Sequence, residues 1–331
     1  MSTKAFDPSA AAEKDSGIYG LKNTIDSARV VVIPVPFDAT TSYGKGTANG
    51  PAEILQASHQ VELFDFELGN PYEQGIVMLD HPTNVAEWNT DAIKYLEDRK
   101  KVNKYSLWMN RWVHKTAQGI LAKGKIPIVI GGDHSTPYGA IKAYAEFYKR
   151  FGILHIDAHA DLREAYEGYE WSHASIMWNV LRHIVGVEKI VQVGIRDLCE
   201  AETAIIGASE NRVVAFYDRT LQRKRHEGNT WVNQAGTIVS QLPHLVYISF
   251  DIDGLDPRFC PHTGTPVPGG LDFDQVCTLF ALVVESGRKI IGFDINEVAP
   301  GPEGDEWDGN VAARLLYKLI GWTLKSQEAK K

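Results

Sequence analysis

Cysteine is scarce in this chain: 331 residues contain only Cys199, Cys260 and Cys277. An odd number without CxxC spacing argues against a disulfide framework or a cysteine zinc site, and it fits a reducing cytoplasm. Positive charge is also in deficit. Lys plus Arg number 34 against 42 Asp plus Glu, a formal net charge of −8. No general attraction to nucleic acid or to an anionic membrane is therefore expected. The short basic runs Arg99-Lys100-Lys101 and Arg223-Lys224-Arg225 read as solvated faces. No uncharged apolar run approaches the roughly 18 residues of a membrane span. The N-terminal stretch from Met1 to Gly20 lacks the apolar core of a signal peptide. Linker-like tracts and repeats are missing as well, so residues 28–331 read as one domain behind an irregular lead-in, 1–27.

What the chain does have is alternation. Short β-rich runs at 30–35, 76–79, 126–130, 153–157, 190–194, 213–217, 245–251 and 289–295 are mostly continuous apolar stretches. Such runs suit parallel strands covered on both faces. Helix-like segments lie between them, at about 51–60, 90–123, 136–149, 174–184, 228–241, 272–286 and 309–325. The pattern predicts an α/β fold in three α/β/α layers. Open parallel sheets place their ligands beyond the carboxyl ends of the strands.

Four of those strand ends carry unusual chemistry. One runs into Gly131-Gly132-Asp133-His134-Ser135, where paired glycines permit a sharp turn that delivers a histidine. Another runs into Asp157-Ala158-His159-Ala160-Asp161. Residues i, i+2 and i+4 of an extended segment share a face, so Asp157, His159 and Asp161 can converge. The third gives Ser249-Phe250-Asp251-Ile252-Asp253, and the fourth ends in Asp294-Ile295-Asn296-Glu297. Clustered carboxylates repel and cannot all stay ionised unaided. Two divalent cations would neutralise four aspartates and, with two shared carboxylates, would use six ligands. Such a pair ionises water near neutral pH. His155, among apolar neighbours, reads as a packed core residue.

These segments, together with Gly254-Leu255-Asp256-Pro257, resemble the ureohydrolase family of arginases, agmatinases, guanidinobutyrases and guanidine hydrolases. The resemblance covers about residues 28–325. It implies an arginase-like sheet of eight mostly parallel strands and a homotrimer or homohexamer. It also implies two divalent ions per chain, Ni²⁺ or Mn²⁺, that serve to hydrolyse a guanidino group and release urea. By motif position, one ion takes His134, Asp157, Asp161 and Asp251. The other takes Asp157, His159, Asp251 and Asp253, with Asp157 and Asp251 bridging. His173, in Trp171-Ser172-His173-Ala174-Ser175, matches the family's active-site histidine and is assigned proton shuttling. Glu297 matches the carboxylate that grips the guanidinium.

The resemblance argues against arginine as substrate. Arg163 stands where arginases have an asparagine, and Cys199 replaces the first acid of the arginase pair after Gly194-Ile195-Arg196-Asp197. His262 stands where agmatinases and arginases have Gly or Ala, beside Thr263-Gly264-Thr265. An imidazole there is expected to fill the space of an alkyl tail, and the segment resembles nickel-dependent guanidine hydrolases. Trp171 is an aromatic candidate for cation–π contact with a small cation. The expected substrate is free guanidine or a small N-alkyl guanidine. Agmatine is the alternative, and Arg163 keeps guanidino acids in view through a possible pairing with a carboxylate. Substrate contacts are expected from Glu297, His262, Thr265, Arg163 and Trp171.

Overall fold

The computed structural model describes residues 6–13 and 16–328. Of the expected lead-in, residues 1–5, 14 and 15 therefore lie outside the described residues. All eight expected strands form. They are β1 (Val30–Val35), β2 (Ile76–Met78), β3 (Ile126–Gly131), β4 (Phe151–Ile156), β5 (Val187–Ile195), β6 (Val213–Tyr217), β7 (Leu245–Asp251) and β8 (Lys289–Asn296). They make one sheet in the order β2-β1-β3-β8-β7-β4-β5-β6. Every strand pairing is parallel. β1, β3 and β4 are buried along their whole length, as continuous apolar runs require when both faces are covered.

The covering helices are α1 (Gly50–Ser58), α2 (Thr83–Lys94), α3 (Arg99–Ala122), α4 (Tyr138–Tyr148), α5 (Ile176–His183), α6 (Glu200–Ala208), α7 (Asp218–His226), α8 (Trp231–Ser240), α9 (Phe273–Glu285) and α10 (Trp307–Gln327). One apolar cluster joins the sheet to α1, α8, α9 and α10, and the other joins it to α2 through α5. The result is the expected three-layer α/β/α arrangement. Among the described residues, no helix is long and apolar enough to cross a membrane.

The differences from expectation have local causes. The single helix expected over 90–123 is two helices. Asp98 caps the second by accepting from the Lys101 N–H at 3.2 Å, which starts a new helix there. Helices α6 and α7 were not anticipated. The exposed run Arg223-Lys224-Arg225 lies on α7, which buries only Asp218 and Leu221 and so carries no apolar period to detect. Within the lead-in, Ile18, Tyr19 and Leu21 enter the core, and the Tyr19 hydroxyl donates to the Ala313 carbonyl at 2.9 Å.

One consequence of the strand order matters most. The four chemically unusual ends belong to β3, β8, β7 and β4, which are consecutive neighbours in the sheet. The registers Ser249↔Asp294, Asp251↔Asn296 and Ile156↔Phe250 bring their carboxyl ends level.

Candidate metal centre

His134 is the hub. Its Nδ1 lies 3.0 Å from Asp157 Oδ2, 3.3 Å from Asp161 Oδ2 and 3.2 Å from Asp251 Oδ2. Its Nε2 faces away, 2.9 Å from the Ser249 hydroxyl, which in turn donates to Asp294 Oδ1 at 2.9 Å. The ring is thereby oriented with Nδ1 toward the carboxylates. A second group lies alongside. His159 Nδ1 is 3.1 Å from Asp253 Oδ2 and 3.4 Å from Asp157 Oδ1. The two groups share Asp157; His134, Asp157 and Asp161 (with His155) and Asp157, His159 and Asp253 have the spacing to hold a metal ion, and Asp251 joins the first through its 3.2 Å approach to His134. All six side chains expected as ligands are thus gathered in one place, most of them fully buried.

The backbone is bent to achieve this. Asp161 and Glu297 both adopt left-handed conformations, at φ 54° and 63°. Non-glycine residues rarely do so, and such strain gathers at functional sites. Asp133 holds the neighbouring turn. Its Oδ1 accepts from the Ser135 N–H at 3.0 Å, and its Oδ2 accepts from the Thr40 hydroxyl at 2.7 Å. The same Thr40 oxygen accepts from the His173 N–H at 3.1 Å, which ties three loops together.

Without cations this arrangement is electrostatically frustrated. Burial and the neighbouring Asp157 push the Asp161 carboxyl up to about 7. Burial, Asp253 and Asp157 hold Asp251 well above the usual carboxylate range. Glu297 is likewise raised by burial, Asp251 and Asp133. Burial alone would lower His159, but Asp253 and Asp157 outweigh it and raise the imidazole to about 12. Divalent ions at this donor set of carboxylate oxygens and imidazole nitrogens would replace the protons and relieve the repulsion. The residues present therefore fit a pair of such ions.

A cavity of about 360 Å³ opens beside the cluster. Among its lining residues are His159, Asp161, Arg163, His173 and Thr265. The Thr265 hydroxyl donates to Asp253 Oδ2 at 3.3 Å. His173 Nε2 lies 3.4 Å from the Ser42 hydroxyl, while its Nδ1 is buried without a partner. Burial and the charge of His159 lower this imidazole to about 4. Arg163 sits over the Tyr166 ring, its guanidinium carbon 4.8 Å from the centroid, and its Nε is 3.8 Å from Glu202 Oε2. Glu297 is buried and does not line the cavity. Its Oε1 accepts from the His134 N–H at 2.9 Å, and its N–H donates to the Gly132 carbonyl at 2.7 Å.

Besides Glu297, two further expected substrate contacts are absent from the lining. His262 is turned toward the start of α10: its Nδ1 is 2.8 Å from Asp308 Oδ2, and its N–H donates to Asp308 Oδ1 at 3.1 Å. It does not line the cavity. Trp171 packs against Tyr138, with ring centroids 4.9 Å apart, and is also absent from the lining. Conversely, Ser42, Tyr43, Asp197 and Leu198 line the cavity without having been singled out. Their signal was positional: they follow β1 and β5, two further carboxyl ends at the same sheet edge.

Comparison with known proteins agrees with this geometry. The Arginase family model matches residues 28–321. The chain belongs to the arginase family. It is 33% identical over 309 residues to the N(1)-aminopropylagmatine ureohydrolase of Synechocystis, covering 92% of each chain. It is 30% identical to the agmatinase of Pyrococcus horikoshii, over 91% of this chain and 94% of that one. Among solved structures, the agmatine ureohydrolase of Thermoplasma volcanium superposes with a TM-score of 0.75 at 26% identity, covering 94% of each chain. As an arginase-family ureohydrolase, the chain is a hydrolase acting on C–N bonds of linear amidines.

Proposed function

We propose that this ureohydrolase releases urea from a guanidino compound carrying an amine tail, of the agmatine or N(1)-aminopropylagmatine type. The expectation of free guanidine rested chiefly on His262 filling the tail space, with aromatic contacts in support; His262 points to Asp308, and Trp171 packs on Tyr138. The cavity is open beyond the cluster, and away from the metal-group residues Asp161 and His159 its lining carries two carboxylates, Asp197 and Glu202, and one cation, Arg163. That balance favours a cationic tail over a carboxylate one. The similarity to N(1)-aminopropylagmatine ureohydrolases and agmatinases supports the same choice.

The observation that carries the reading is the pair of donor groups sharing Asp157 beside an open cavity. His134, Asp157, Asp161 and Asp251 are assigned to one ion, and Asp157, His159, Asp251 and Asp253 to the other. Mn²⁺ and Ni²⁺ both suit imidazole and carboxylate ligands. Bound there, the ions supply a water ionised near neutral pH. The remaining steps fall to side chains. Glu297 is assigned to the guanidinium: Oε1 is engaged by His134, which leaves Oε2. A Cβ on Gly264 would stand in van der Waals contact with that oxygen, at 3.6 Å. His173 lines the cavity as a neutral imidazole, so it hands on a proton only after accepting one. It thus serves as a shuttle to the leaving amine. The reading includes one domain over 28–331, a cytoplasmic setting and a trimer or hexamer.

A urea-release panel tests the substrate. Guanidine, methylguanidine, agmatine, N(1)-aminopropylagmatine, guanidinobutyrate and arginine are compared on protein reconstituted with Mn²⁺ or Ni²⁺. Agmatine or its aminopropyl derivative should exceed guanidine in kcat/KM by more than about tenfold, or ~1.4 kcal/mol. Preference for guanidine overturns the tail assignment.

A further inference from the structure

Two polar side chains interrupt otherwise apolar strands in the middle of the sheet. His155 on β4 and Gln192 on β5 are partners in register, and both are fully buried. Buried polar groups at such positions need partners, and the partners here are specific. Gln192 Nε2 lies 2.7 Å from the Ala160 carbonyl and 2.9 Å from His155 Nδ1. A carbonyl oxygen only accepts, so the nitrogen of the amide must be the atom facing it. The same NH₂ then donates to Nδ1, which leaves the ring proton on Nε2. That Nε2 lies 2.8 Å from Asp157 Oδ2.

We propose that His155, locked in the Nε2–H tautomer by Gln192, is a positioning residue that aims the shared carboxylate of Asp157 at both ions. The two oxygens of Asp157 are treated alike. Oδ2 accepts from His155, and Oδ1 accepts from the His159 N–H at 2.6 Å. Each oxygen keeps one lone pair for an ion, the condition for a bridge. By distance alone His155 belongs to the metal-capable group with His134, Asp157 and Asp161. The hydrogen-bond network removes it, because a protonated Nε2 has no lone pair to give. The inference rests on the two-ion reading above.

The test is metal binding, not turnover. Chelator-stripped full-length protein is titrated with Mn²⁺ by calorimetry, bound metal is counted by elemental analysis, and the melting temperature of the stripped protein is recorded. Wild type should bind two ions. His155→Phe should still bind two, but about 10- to 100-fold more weakly. His155→Gln, which keeps an N–H donor, should recover part of the loss. Gln192→Leu should weaken binding in the same direction by less. Unchanged affinity in His155→Phe with only a lower melting temperature would overturn the proposal. So would a drop to one ion, which would make His155 a ligand. If His155→Phe fails to fold, Gln192→Leu decides, since unchanged affinity there removes the lock. Fewer than two ions on wild type would instead overturn the two-ion reading itself.

Discussion

The floor of the site and its mouth are built in opposite ways. On the floor, every side chain but the half-buried His159 is buried, and several are held from behind: His134 by Ser249, Asp157 by His155, Asp253 by the Ala158 N–H at 3.0 Å. At the mouth, Tyr43 is 85% exposed, Asp197 is exposed, and Arg163 reaches Glu202 only at 3.8 Å. Chemistry that depends on placing charge needs a rigid surround. Selection of a substrate tail can be left to loops that vary without disturbing it. On the proposed function, the contrast assigns catalysis to the floor and specificity to the mouth.

Substitutions on the floor and at the mouth should therefore have separable effects. The largest effect is expected on the floor, where Asp157→Ala removes the oxygen atoms common to both donor groups. Elemental analysis should show loss of bound metal, with urea release falling to background. Retention of two ions would show that Asp157 is not shared. Next, His173→Ala should lower kcat by about 10²–10⁴ while metal content stays at two ions, as expected for a lost proton carrier. An unchanged kcat would return His173 to the cavity wall.

The bare floor should also show itself in stability. Asp161 is raised from 3.8 to about 7 and His159 from 6.5 to about 12. A raised carboxyl makes no difference below its unfolded value and destabilises progressively up to its folded one. The raised imidazole stabilises fully below its unfolded value and loses this as pH climbs toward its folded one. Both signs agree, and the raised carboxyls of Asp251 and Glu297 add to them; the lowered imidazole of His173 acts oppositely only up to its unfolded value, so the melting temperature of metal-free protein should fall on balance as pH rises from 5 to 8. Metal affinity should move oppositely, because protons compete for the same oxygens. A metal-free melting temperature that rises over this range would contradict the assigned geometry. The smallest effect belongs to the mouth. Tyr43→Ala should raise KM roughly two- to fivefold for a cationic substrate, with kcat unchanged, the value of one exposed cation–π contact. His262→Ala should leave KM where it is; a changed KM would put His262 back in the substrate's path.

The candidate ligands were legible because strand-end carboxylates and histidines at i, i+2 and i+4 leave a written pattern. Asp157, His159 and Asp161 stand in it, and so do Asp251 and Asp253. The roles of His155 and Gln192 were not legible. Each reads as an isolated polar residue in an apolar strand, and only the pairing of β4 with β5 makes them partners. His262 shows the reverse case. Its neighbours in the chain suggested the pocket, but a residue 46 positions away, Asp308, captured its ring.

Periodicity and local motif by themselves determined the eight strands, the layered class and the set of metal-seeking side chains, since each depends on residues close in sequence. Strand order, the left-handed turns at Asp161 and Glu297 and the direction of each ring were decided only by tertiary structure. Those depend on which distant groups meet, and a hydrogen bond between strands has no signature in either strand alone.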